Sequence, residues 1–331
     1  MIIAGDIGGT KTSLGIYSRE GGVRHPIRER TFASGDYGSL EEIVVEFLKD
    51  EAIPIEHAVF GIAGPVVGSE VKTTNIPWIV SEENITEQLG ITSARLINDL
   101  EAIALGVPHL TGEDLHTLND GQRDDRGTMA VIAPGTGLGE AFLIRDNDGY
   151  RAHASEGGHA DFAPTGTVEI ALLQYLRRQY DHVSYERVCS GRGIPHIYAF
   201  LRDAGHGEEP PWLAAELAAV DDATPVIIAN ALHEERPCPL CTATLDIFAS
   251  VLAAEAGNLA LTVMATGGVY IGGGIAPRIL PALQRPSFLR VFTQKGRFAG
   301  LMERMPLHVI TNPKAALIGA ACYGLERMTT L

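Results

Sequence analysis

The order of apolar and polar positions near the N-terminus predicts alternating strands and helices. The apolar run MIIAGDI, the turn GGT and the run TSLGIY predict a β-hairpin over residues 1–17. Residues 39–50 begin with the spacing of a capping box and then place apolar side chains on one helical face. Shorter patterns predict two strands and one further helix, at 58–63, 94–98 and 81–90. This alternation predicts an α/β domain with parallel strands.

A second copy of the hairpin pattern lies at residues 129–145. There the apolar run MAVIA, the glycine turn PGTGLG and the run EAFLI follow one another. When Met1 is set against Met129, turn lies on turn and strand on strand. The agreement indicates an internal duplication, although two glycine hairpins can also arise independently.

The second half of the chain is predicted to be richer in helices. Long helical patterns occupy 168–180, 245–265 and 313–326, and the Pro- and Gly-rich stretch 203–240 is typical of surface connections around short helices. Residues 256–277 carry no charge and are long enough to span a bilayer, but six glycines interrupt them. We therefore interpret this segment as a buried helix, a turn and a buried strand.

The composition is that of a folded protein with an acidic surface. A chain of 331 residues with 45% hydrophobic and 20% charged residues is far from the composition of disordered proteins, and its length fits about two domains. With 26 Lys and Arg against 41 Asp and Glu, the formal net charge is −15, and no run of five like charges occurs. This balance disfavours binding to nucleic acid or to an anionic membrane.

The N-terminus and the cysteines bear on location and metal content. The first residues, MIIAGDIGGTKT, show no basic segment followed by a long apolar stretch, so neither secretion nor organelle import is expected. Of the four cysteines, only Cys238 and Cys241 lie close together in the sequence. This spacing does not indicate a disulfide framework. We expect a cytoplasmic location. The pair has only His233 nearby as a further metal ligand, so we interpret it as structural and expect no zinc.

A glycine turn with an acidic residue before it follows the first predicted strand. Gly8 and Gly9 allow backbone N–H groups to approach an anion, and the carboxylate of Asp6 can hold a hydrated Mg²⁺. The sequence lacks the Walker pattern GxxxxGK[ST], and a strand follows the turn where a dinucleotide fold requires a helix. A turn with a purely structural role is the alternative.

Two further glycine turns lie at Gly135–Gly139 and Gly272–Gly274. The first matches the spacing of a dinucleotide-binding loop, but the strand-like run EAFLI follows it. The second can pack its bare backbone against a flat purine or a ribose, or it can be a tight turn in a buried region. The three turns in this order are more specific than any one of them.

Together these turns resemble the two phosphate motifs and the adenosine motif of the bacterial glucokinases, within the hexokinase, actin and heat-shock chaperone superfamily. The resemblance extends from Met1 into the C-terminal helix. It implies an α/β fold of the two-domain actin-like ATPase (ribonuclease H-like) type. A cleft would separate a small α/β domain, 1–109 plus 312–331, from a larger α+β domain, 110–311.

The resemblance also implies which residues bind ATP and Mg²⁺. Asp6 would hold Mg²⁺ through water, next to the ATP phosphates. Lys11, on the same turn, could pair with a phosphate or be solvated. The residues that would contact ATP are Gly5, Asp6, Ile7, Gly8, Gly9, Thr10, Gly135, Thr136, Gly137, Gly273 and Gly274.

Asn98 and Asp99 end a predicted strand and begin a predicted helix, a place where ligands collect in parallel sheets. Capping of the helix is the simpler interpretation of the two residues. The resemblance implies instead that Asp99 is the catalytic base, which accepts the proton of the sugar's 6-hydroxyl. Asn98 would then bind neighbouring sugar hydroxyls. The helix start would favour the ionised carboxylate that a base needs.

The segment Glu156-Gly157-Gly158-His159 places two polar side chains in a glycine-rich turn. A metal site formed with His153 is the alternative, but no fourth ligand is evident. The resemblance implies that Glu156 and His159 bind the sugar, together with Glu186, whose segment YERVCSG is similar to a family turn. Without the resemblance, Glu186 would be interpreted as a solvated charge.

The implied function is transfer of the γ-phosphoryl group of ATP to the 6-hydroxyl of glucose, at the entry to glycolysis, by an enzyme expected to be a homodimer. Segments at Gly64-Pro65 and 74–78 resemble those that close over the sugar, although packing around Trp78 explains them equally well. The alternatives are a kinase of the same fold for another hexose or with another donor, ADP or polyphosphate, and a non-catalytic sugar-sensing regulator. Such regulators carry a helix-turn-helix segment before the first phosphate motif, which here begins at residue 6, so we favour the enzyme.

Overall fold

The described part of the chain forms two compact units. In a computed structural model it comprises residues 1–49, 53–64, 66, 68–73, 76–147 and 149–328. The first unit contains Met1–Asp114, Leu143–Ala154 and Asn312–Leu331, and the second contains Leu115–Phe142 and Ser155–Thr311. The predicted domains, 1–109 plus 312–331 and 110–311, assign residues 110–114 and 143–154 differently. The predicted division into two domains therefore stays a prediction.

Strands and helices alternate in the first unit, and helices predominate in the second. The strands are β1 (Ile2–Ile7), β2 (Lys11–Tyr17), β3 (Arg28–Ala33), β4 (His57–Ile62), β5 (Glu70–Lys72), β6 (Ile79–Ser81), β7 (Ser93–Asn98), β8 (Leu115–Asn119), β9 (Met129–Pro134), β10 (Leu138–Asp146), β11 (Gly149–Ser155), β12 (Gly268–Ile271) and β13 (Leu307–Ile310). The helices are α1 (Leu40–Leu48), α2 (Glu82–Leu89), α3 (Asp99–Gly106), α4 (Thr167–Leu176), α5 (Gly193–Asp203), α6 (Pro211–Ala218), α7 (Thr224–Ala231), α8 (Pro239–Val263), α9 (Leu280–Leu283), α10 (Pro286–Thr293), α11 (Ala299–Met302) and α12 (Ala315–Tyr323).

The first unit contains a five-stranded mixed sheet with the strand order β3-β2-β1-β4-β7. β2 runs antiparallel to β1 and β3, whereas β4 runs parallel to β1 and β7. The apolar residues of α1 that the periodicity places on one face, Leu40, Ile43, Val44 and Phe47, are fully buried against the sheet. The predicted capping box is present in part, since Ser39 Oγ accepts a hydrogen bond from the N–H of Glu42 at 3.4 Å.

The helices α3 and α12 pack together on the other side of this sheet. They approach closely because each has a glycine at the contact. A Cβ on Gly106 would collide with the carbonyl oxygen of Ala315, and a Cβ on Gly319 with the carbonyl oxygen of Ala102. The small residues of the predicted C-terminal helix therefore serve a close helix–helix contact.

The sheet built on the second glycine hairpin repeats the strand order of the first. Its order is β11-β10-β9-β12-β13-β8. β12 runs parallel to β9 and to β13, and β8 is antiparallel to β13. Apart from β8, the hairpin strands and the parallel strands take the same places as β3-β2-β1-β4-β7. This agreement supports the internal duplication that the two glycine hairpins indicate.

The long helix α8 is the centre of the second unit, where it contacts α5, α7 and α10. It begins at Pro239, earlier than the predicted 245, because Cys238 caps it: the Cys238 Sγ accepts a hydrogen bond from the N–H of Cys241 at 3.4 Å. Among the described residues α8 is the one helix long and apolar enough to cross a membrane, but 72% of its apolar stretch is buried inside the protein. It is therefore a core helix, and the turn and β12 that follow confirm the predicted succession.

Candidate active site

The first glycine turn joins β1 to β2 and is held by Ser34. The N–H of Gly8 donates to the carbonyl oxygen of Lys11 at 2.9 Å and closes the turn. Ser34 Oγ donates to the carbonyl oxygen of Gly8 at 2.7 Å, and its N–H donates to that of Thr10 at 3.1 Å. These bonds fix the predicted phosphate turn, in which Gly9 is half-buried and Thr10 is exposed.

Gly5 and Ile7, predicted to contact ATP, are buried residues of β1. A Cβ on Gly5 would meet the side chains of Phe60 and Leu14 at 2.6 and 2.8 Å, and Ile7 belongs to the hydrophobic core. Packing is therefore sufficient to explain both residue types, and their contact with ATP stays a prediction.

The strands that carry Asp6 and Asn98 end at the same edge of the first sheet. Ile7 of β1 pairs with Ile62 of β4, and Ile62 pairs with Asn98 of β7. The carboxyl ends of these three parallel strands are therefore level, the edge at which parallel sheets collect ligands. Asp99 follows at once as the first residue of α3.

Gly61 of β4 lies between Asp6 in β1 and Asp99, the first residue of α3. Gly61 pairs with Asp6, and a Cβ on Gly61 would lie 2.9 Å from the Cβ of Ala102 and 3.9 Å from the Cα of Asp99. Burial and the charge of Asp99 raise the pKa of Asp6 to about 7. Burial also raises the pKa of Asp99, against the hydrogen bond that its carboxylate accepts from the N–H of Leu100. Gly61 was missed by the sequence analysis, although a glycine inside a strand often marks such a close approach.

Asn98 is the N-cap of α3. Its Oδ1 accepts hydrogen bonds from the N–H groups of Leu100 at 2.9 Å and Glu101 at 3.4 Å, and its Nδ2 donates to the carbonyl oxygen of Gly64 at 3.2 Å. The capping interpretation therefore applies to Asn98. The contacts of Asn98 use one of the two N–H bonds of its side-chain amide. Sugar binding by this residue stays a prediction.

The second and third glycine turns lie side by side in the second unit. They follow the carboxyl ends of the adjacent parallel strands β9 and β12. The N–H of Gly272 donates to the carbonyl oxygen of Ile132 at 2.8 Å. Gly273 has φ +79°, and a Cβ there would collide with the carbonyl oxygen of Pro134. The structure thus brings together the predicted phosphate and adenosine residues Gly135, Thr136, Gly137, Gly273 and Gly274.

Glu156 and His159 lie at the two ends of one 3₁₀ turn, Gly157–His159. The N–H of His159 donates to the carbonyl oxygen of Glu156 at 2.9 Å. Residues three apart in a 3₁₀ helix lie on the same side of it, and both side chains are exposed. The turn therefore presents a carboxylate and an imidazole on one face.

The two glycines of this segment are imposed by β10. A Cβ on Gly157 would collide with the carboxyl group of Glu140, and a Cβ on Gly158 with the carbonyl oxygen of Leu138. The glycine pair is therefore needed for the turn to lie against the strand.

Glu186 lies in the 3₁₀ turn Tyr185–Arg187 and contacts the second glycine turn. Its Oε2 accepts a hydrogen bond from the N–H of Leu138 at 3.0 Å, and it occupies the space that a side chain on Gly137 would need. The carboxylate therefore helps to fix the start of β10, a contact that the sequence did not indicate.

The turns that carry His159 and Glu186 are neighbours in the second unit. A β-bridge pairs Asp161 with Ser184, and the N–H of Tyr185 donates to the carbonyl oxygen of Ala160 at 3.0 Å. The structure thus brings together the turns of three predicted sugar contacts, whose binding role stays a prediction: Glu156, His159 and Glu186.

The alternative metal sites are not formed within the part of the chain that the structure describes. There, the one group of His, Cys, Asp and Glu side chains within reach of a single ion includes none of the proposed ligands; it consists of His109, Cys322 and Glu326. Cys238 and Cys241 are fully buried, and burial raises the pKa of the Cys241 thiol. The cap that Cys238 provides supports the structural interpretation of this pair.

The segments predicted to close over the sugar are described only in part. Pro65, Thr74 and Asn75 lie outside the described residues. Trp78 is buried, and its Nε1 donates to the carbonyl oxygen of Tyr37 at 3.3 Å. Packing thus accounts for Trp78.

Known proteins that resemble this chain include glucokinases of bacteria. A profile of the glucokinase family matches residues 3–327. The glucokinase of Nostoc punctiforme is 42% identical over 97% of this chain and 98% of its own length. The crystal structure of a glucokinase from an Antarctic psychrotroph is similar with a TM-score of 0.81, 32% identity and coverage of 97% of each chain.

A ROK-family glucokinase from Streptomyces griseus, solved in complex with glucose and AMPPNP, shares the fold with a TM-score of 0.62, 22% identity and coverage of 97% of each chain. The family match spans nearly the whole chain, and the Nostoc punctiforme glucokinase is similar to it over nearly its whole length. The chain therefore belongs to the glucokinase family, so that the actin-like ATPase fold and the enzyme class expected from the sequence, an ATP-dependent hexose kinase, are confirmed.

Proposed function

We propose that this chain transfers the γ-phosphoryl group of ATP to the 6-hydroxyl of glucose, giving glucose 6-phosphate in the cytoplasm at the entry to glycolysis. Membership of the glucokinase family supports the reaction. The structural observation that carries the mechanism is the placement of Asp6 and Asp99 at the level carboxyl ends of parallel strands, on either side of Gly61.

Asp99 is the general base. It accepts the proton of the 6-hydroxyl as that oxygen attacks the γ-phosphorus. Burial raises its pKa above that of an ordinary aspartate, which makes it a stronger base, while the N–H of Leu100 and the start of α3 favour the ionised form. Phosphoryl transfer has a loose transition state, so alignment supplies most of the acceleration and the base contributes about 10²–10⁴.

The residues at this sheet edge fit a divalent cation. Burial and, less strongly, the charge of Asp99 raise the pKa of Asp6, and a cation beside the two carboxylates would relieve their repulsion. Asp6 would hold Mg²⁺ through water. When bound with ATP, the ion neutralises charge on the phosphoryl group that is transferred.

The second unit supplies the other sugar contacts. Glu156 and His159 face the same way from one 3₁₀ turn, and Glu186 lies on the neighbouring turn. Carboxylates and an imidazole can accept and donate hydrogen bonds with hydroxyl groups, the chemistry that a hexose requires. We assign these three side chains to glucose and Asn98 to a neighbouring hydroxyl.

A coupled assay across a panel of sugars and donors tests this function. We expect glucose with ATP to give the highest kcat/KM, and activity to disappear without Mg²⁺. A higher kcat/KM for fructose, mannose or an N-acetylated hexosamine would assign the chain to another hexose, and ADP or polyphosphate as the better donor would change the donor. Sugar binding without turnover would favour the sensing regulator.

We further propose a homodimer, which light scattering of the purified protein would show as twice the mass of the chain.

A further inference from the structure

Two buried glutamates lie behind the turns that carry the proposed sugar contacts. Glu140 in β10 is 2% exposed, and Glu255 in α8 is 6% exposed. Among the buried side-chain polar atoms of the described residues, the Oε1 of Glu140 is the one without a hydrogen-bond partner. Buried polar groups are almost always paired, so an acidic residue at this position requires an explanation.

Glu140 packs directly on the turn of Glu156 and His159. Its Oε2 fills the space that a side chain on Gly157 would need. The N–H of Gly157 donates to Ser155 Oγ at 3.0 Å. A movement of the Glu140 carboxyl group would therefore move the backbone between the two proposed sugar contacts.

Glu255 connects to the neighbouring turn, which carries Glu186. The hydroxyl of Tyr185, the residue before Glu186, donates to the carboxylate of Glu255. Asn258 Nδ2 donates to Glu255 Oε2 and to the Tyr185 hydroxyl, both at 2.9 Å. Lys295 Nζ in turn donates to Asn258 Oδ1 at 2.5 Å. The two glutamates therefore join the 3₁₀ turns on which all three proposed sugar contacts of the second unit lie.

Burial and the neighbouring charge favour a protonated Glu140. Burial and the charge of Glu255 raise the pKa of Glu140 to about 8. Once protonated, Glu140 can donate to the Glu255 carboxylate, a bond that an ionised carboxyl group cannot donate. Burial also raises the pKa of Glu255, although hydrogen bonds from Asn258 and Tyr185 and the charge of Lys295 oppose this shift. Burial and the neighbouring carboxylate thus both favour the protonated form of Glu140, whereas the hydrogen bonds around Glu255 favour its ionised form.

Among the described residues, three other ionisable groups lie around the pair: Tyr185, Cys189 and Lys295. Burial raises the pKa of the Tyr185 hydroxyl and of the Cys189 thiol, so both are neutral at pH 7. Burial lowers the pKa of Lys295, against the charge of Glu255. Glu140 is therefore the acid of this cluster whose pKa is raised both by burial and by the charge of a neighbouring carboxylate.

We propose that Glu140 and Glu255 are positioning residues for glucose: the hydrogen bond that Glu140 donates to Glu255 holds the Glu156–His159 turn and the Glu186 turn at the spacing that the sugar needs. The inference rests on the proposed function, since it assigns these turns to glucose. Loss of the proton places two carboxylates side by side in a buried space, and their repulsion displaces Glu140 against Gly157.

The test is the pH dependence of the KM for glucose in the whole enzyme, measured from pH 6.5 to 9 together with kcat and the KM for ATP. If only the protonated pair binds glucose well, the KM for glucose of the wild type rises about tenfold at one pH unit above the pKa of Glu140. We expect a smaller change in the KM for ATP.

The variant Glu140→Gln keeps a hydrogen-bond donor and is neutral at every pH. We expect its KM for glucose to lie within about twofold of the wild type at pH 6.5 and to stay level up to pH 9. Glu255→Gln removes the neighbouring charge, so loss of the Glu140 proton creates no repulsion, and we expect its KM for glucose also to stay level up to pH 9. This second variant decides the matter should Glu140→Gln fail to fold.

The matched control is Glu169→Gln. Glu169 is also a buried glutamate of the second unit, 7% exposed, and it accepts hydrogen bonds from Thr165 and Ser250. We expect this variant to keep the wild-type pH profile. A KM for glucose that is level with pH in the wild type, or that rises equally in Glu140→Gln, would overturn the inference while leaving glucose phosphorylation intact. Failure of the wild type to phosphorylate glucose at any pH would instead overturn the proposed function, and this inference with it.

Discussion

At the scale of single residues, Asn98 and Asp99 divide two roles that their sequence alone could not separate. Asn and Asp are both good N-caps, so either residue could begin α3. In the structure, Asn98 accepts hydrogen bonds from the N–H groups of Leu100 and Glu101 and is sufficient as the cap. Capping therefore does not explain why an acidic residue with a raised pKa occupies position 99. The role of catalytic base therefore explains Asp99 better than helix capping does.

Glu156→Ala and His159→Ala are predicted to weaken glucose binding and to leave ATP binding nearly unchanged. A hydrogen bond to a charged group contributes about 1.5–3 kcal/mol, which corresponds to roughly ten- to a hundred-fold in affinity. Both side chains are exposed, so their removal should not disturb the core. Isothermal titration calorimetry with glucose measures the effect.

The control for these variants is Glu234→Ala, an exposed glutamate of the same unit outside the proposed site. It should bind glucose as the wild type does. Unchanged glucose affinity in both Glu156→Ala and His159→Ala would show that the segment serves only the fold.

At the scale of elements, the glycines could be recognised in the sequence but their partners could not. The turns around Gly8 and Gly137 were predicted because each lies between two apolar runs. A side chain at position 61 would collide with Ala102, and a side chain at position 157 would collide with Glu140. Both neighbours are distant in the sequence and lie on another element. A local pattern carries no information about such contacts, which arise only when the elements pack.

Gly319→Ala is predicted to destabilise the first unit and to lower kcat. The added Cβ would collide with the carbonyl oxygen of Ala102, so α3 must move away from α12, and α3 begins at Asp99. Overpacking of this kind costs about 1–3 kcal/mol. Urea unfolding followed by circular dichroism measures the loss.

Gly300→Ala is the matched control, because nothing lies within 4 Å of a Cβ at this helical glycine. It should be neutral or stabilise the protein by up to about 1 kcal/mol. Equal stability of Gly319→Ala and the wild type would mean that α3 and α12 can separate without cost.

At the scale of the whole molecule, the sequence predicted the kind of fold better than its strand order. Alternating periodicities and the repeated glycine hairpin indicated α/β architecture and a duplication, and the two sheets share one order of hairpin and parallel strands. The order itself depends on pairings between strands far apart in the chain, such as β9 with β12. The buried pair Glu140 and Glu255 was missed for the same reason, because its members lie on β10 and α8 and share no local motif.

The stability of the molecule is predicted to fall in acid through Asp114. This carboxylate is 6% exposed and accepts hydrogen bonds from Arg24 at 2.6 Å and Asn312 at 2.7 Å. The hydrogen bond from Arg24 is the largest cause that holds the pKa of Asp114 well below its usual range. Its contribution is therefore present above the pKa of about 4 of an unfolded aspartate and is lost as the pH falls through the folded-state pKa.

Asp114→Asn should destabilise the protein by about 1–3 kcal/mol at pH 7 and flatten the fall in stability below pH 4. Thermal unfolding at pH 2.5 to 7 measures both effects. The exposed Asp221 provides the control Asp221→Asn, which should follow the wild type. An acid profile of Asp114→Asn that is parallel to the wild type would assign the acid sensitivity to other carboxyl groups.

The most direct test of the account is the kcat of Asp99→Asn with saturating glucose and ATP. Asparagine keeps the shape and a hydrogen-bonding oxygen but cannot accept the proton, so glucose affinity by calorimetry should stay within a few fold. The account predicts that kcat falls by about 10²–10⁴. A variant that binds glucose normally and turns over at more than about a tenth of the wild-type rate would contradict it, and would show that Asp99 is not the base.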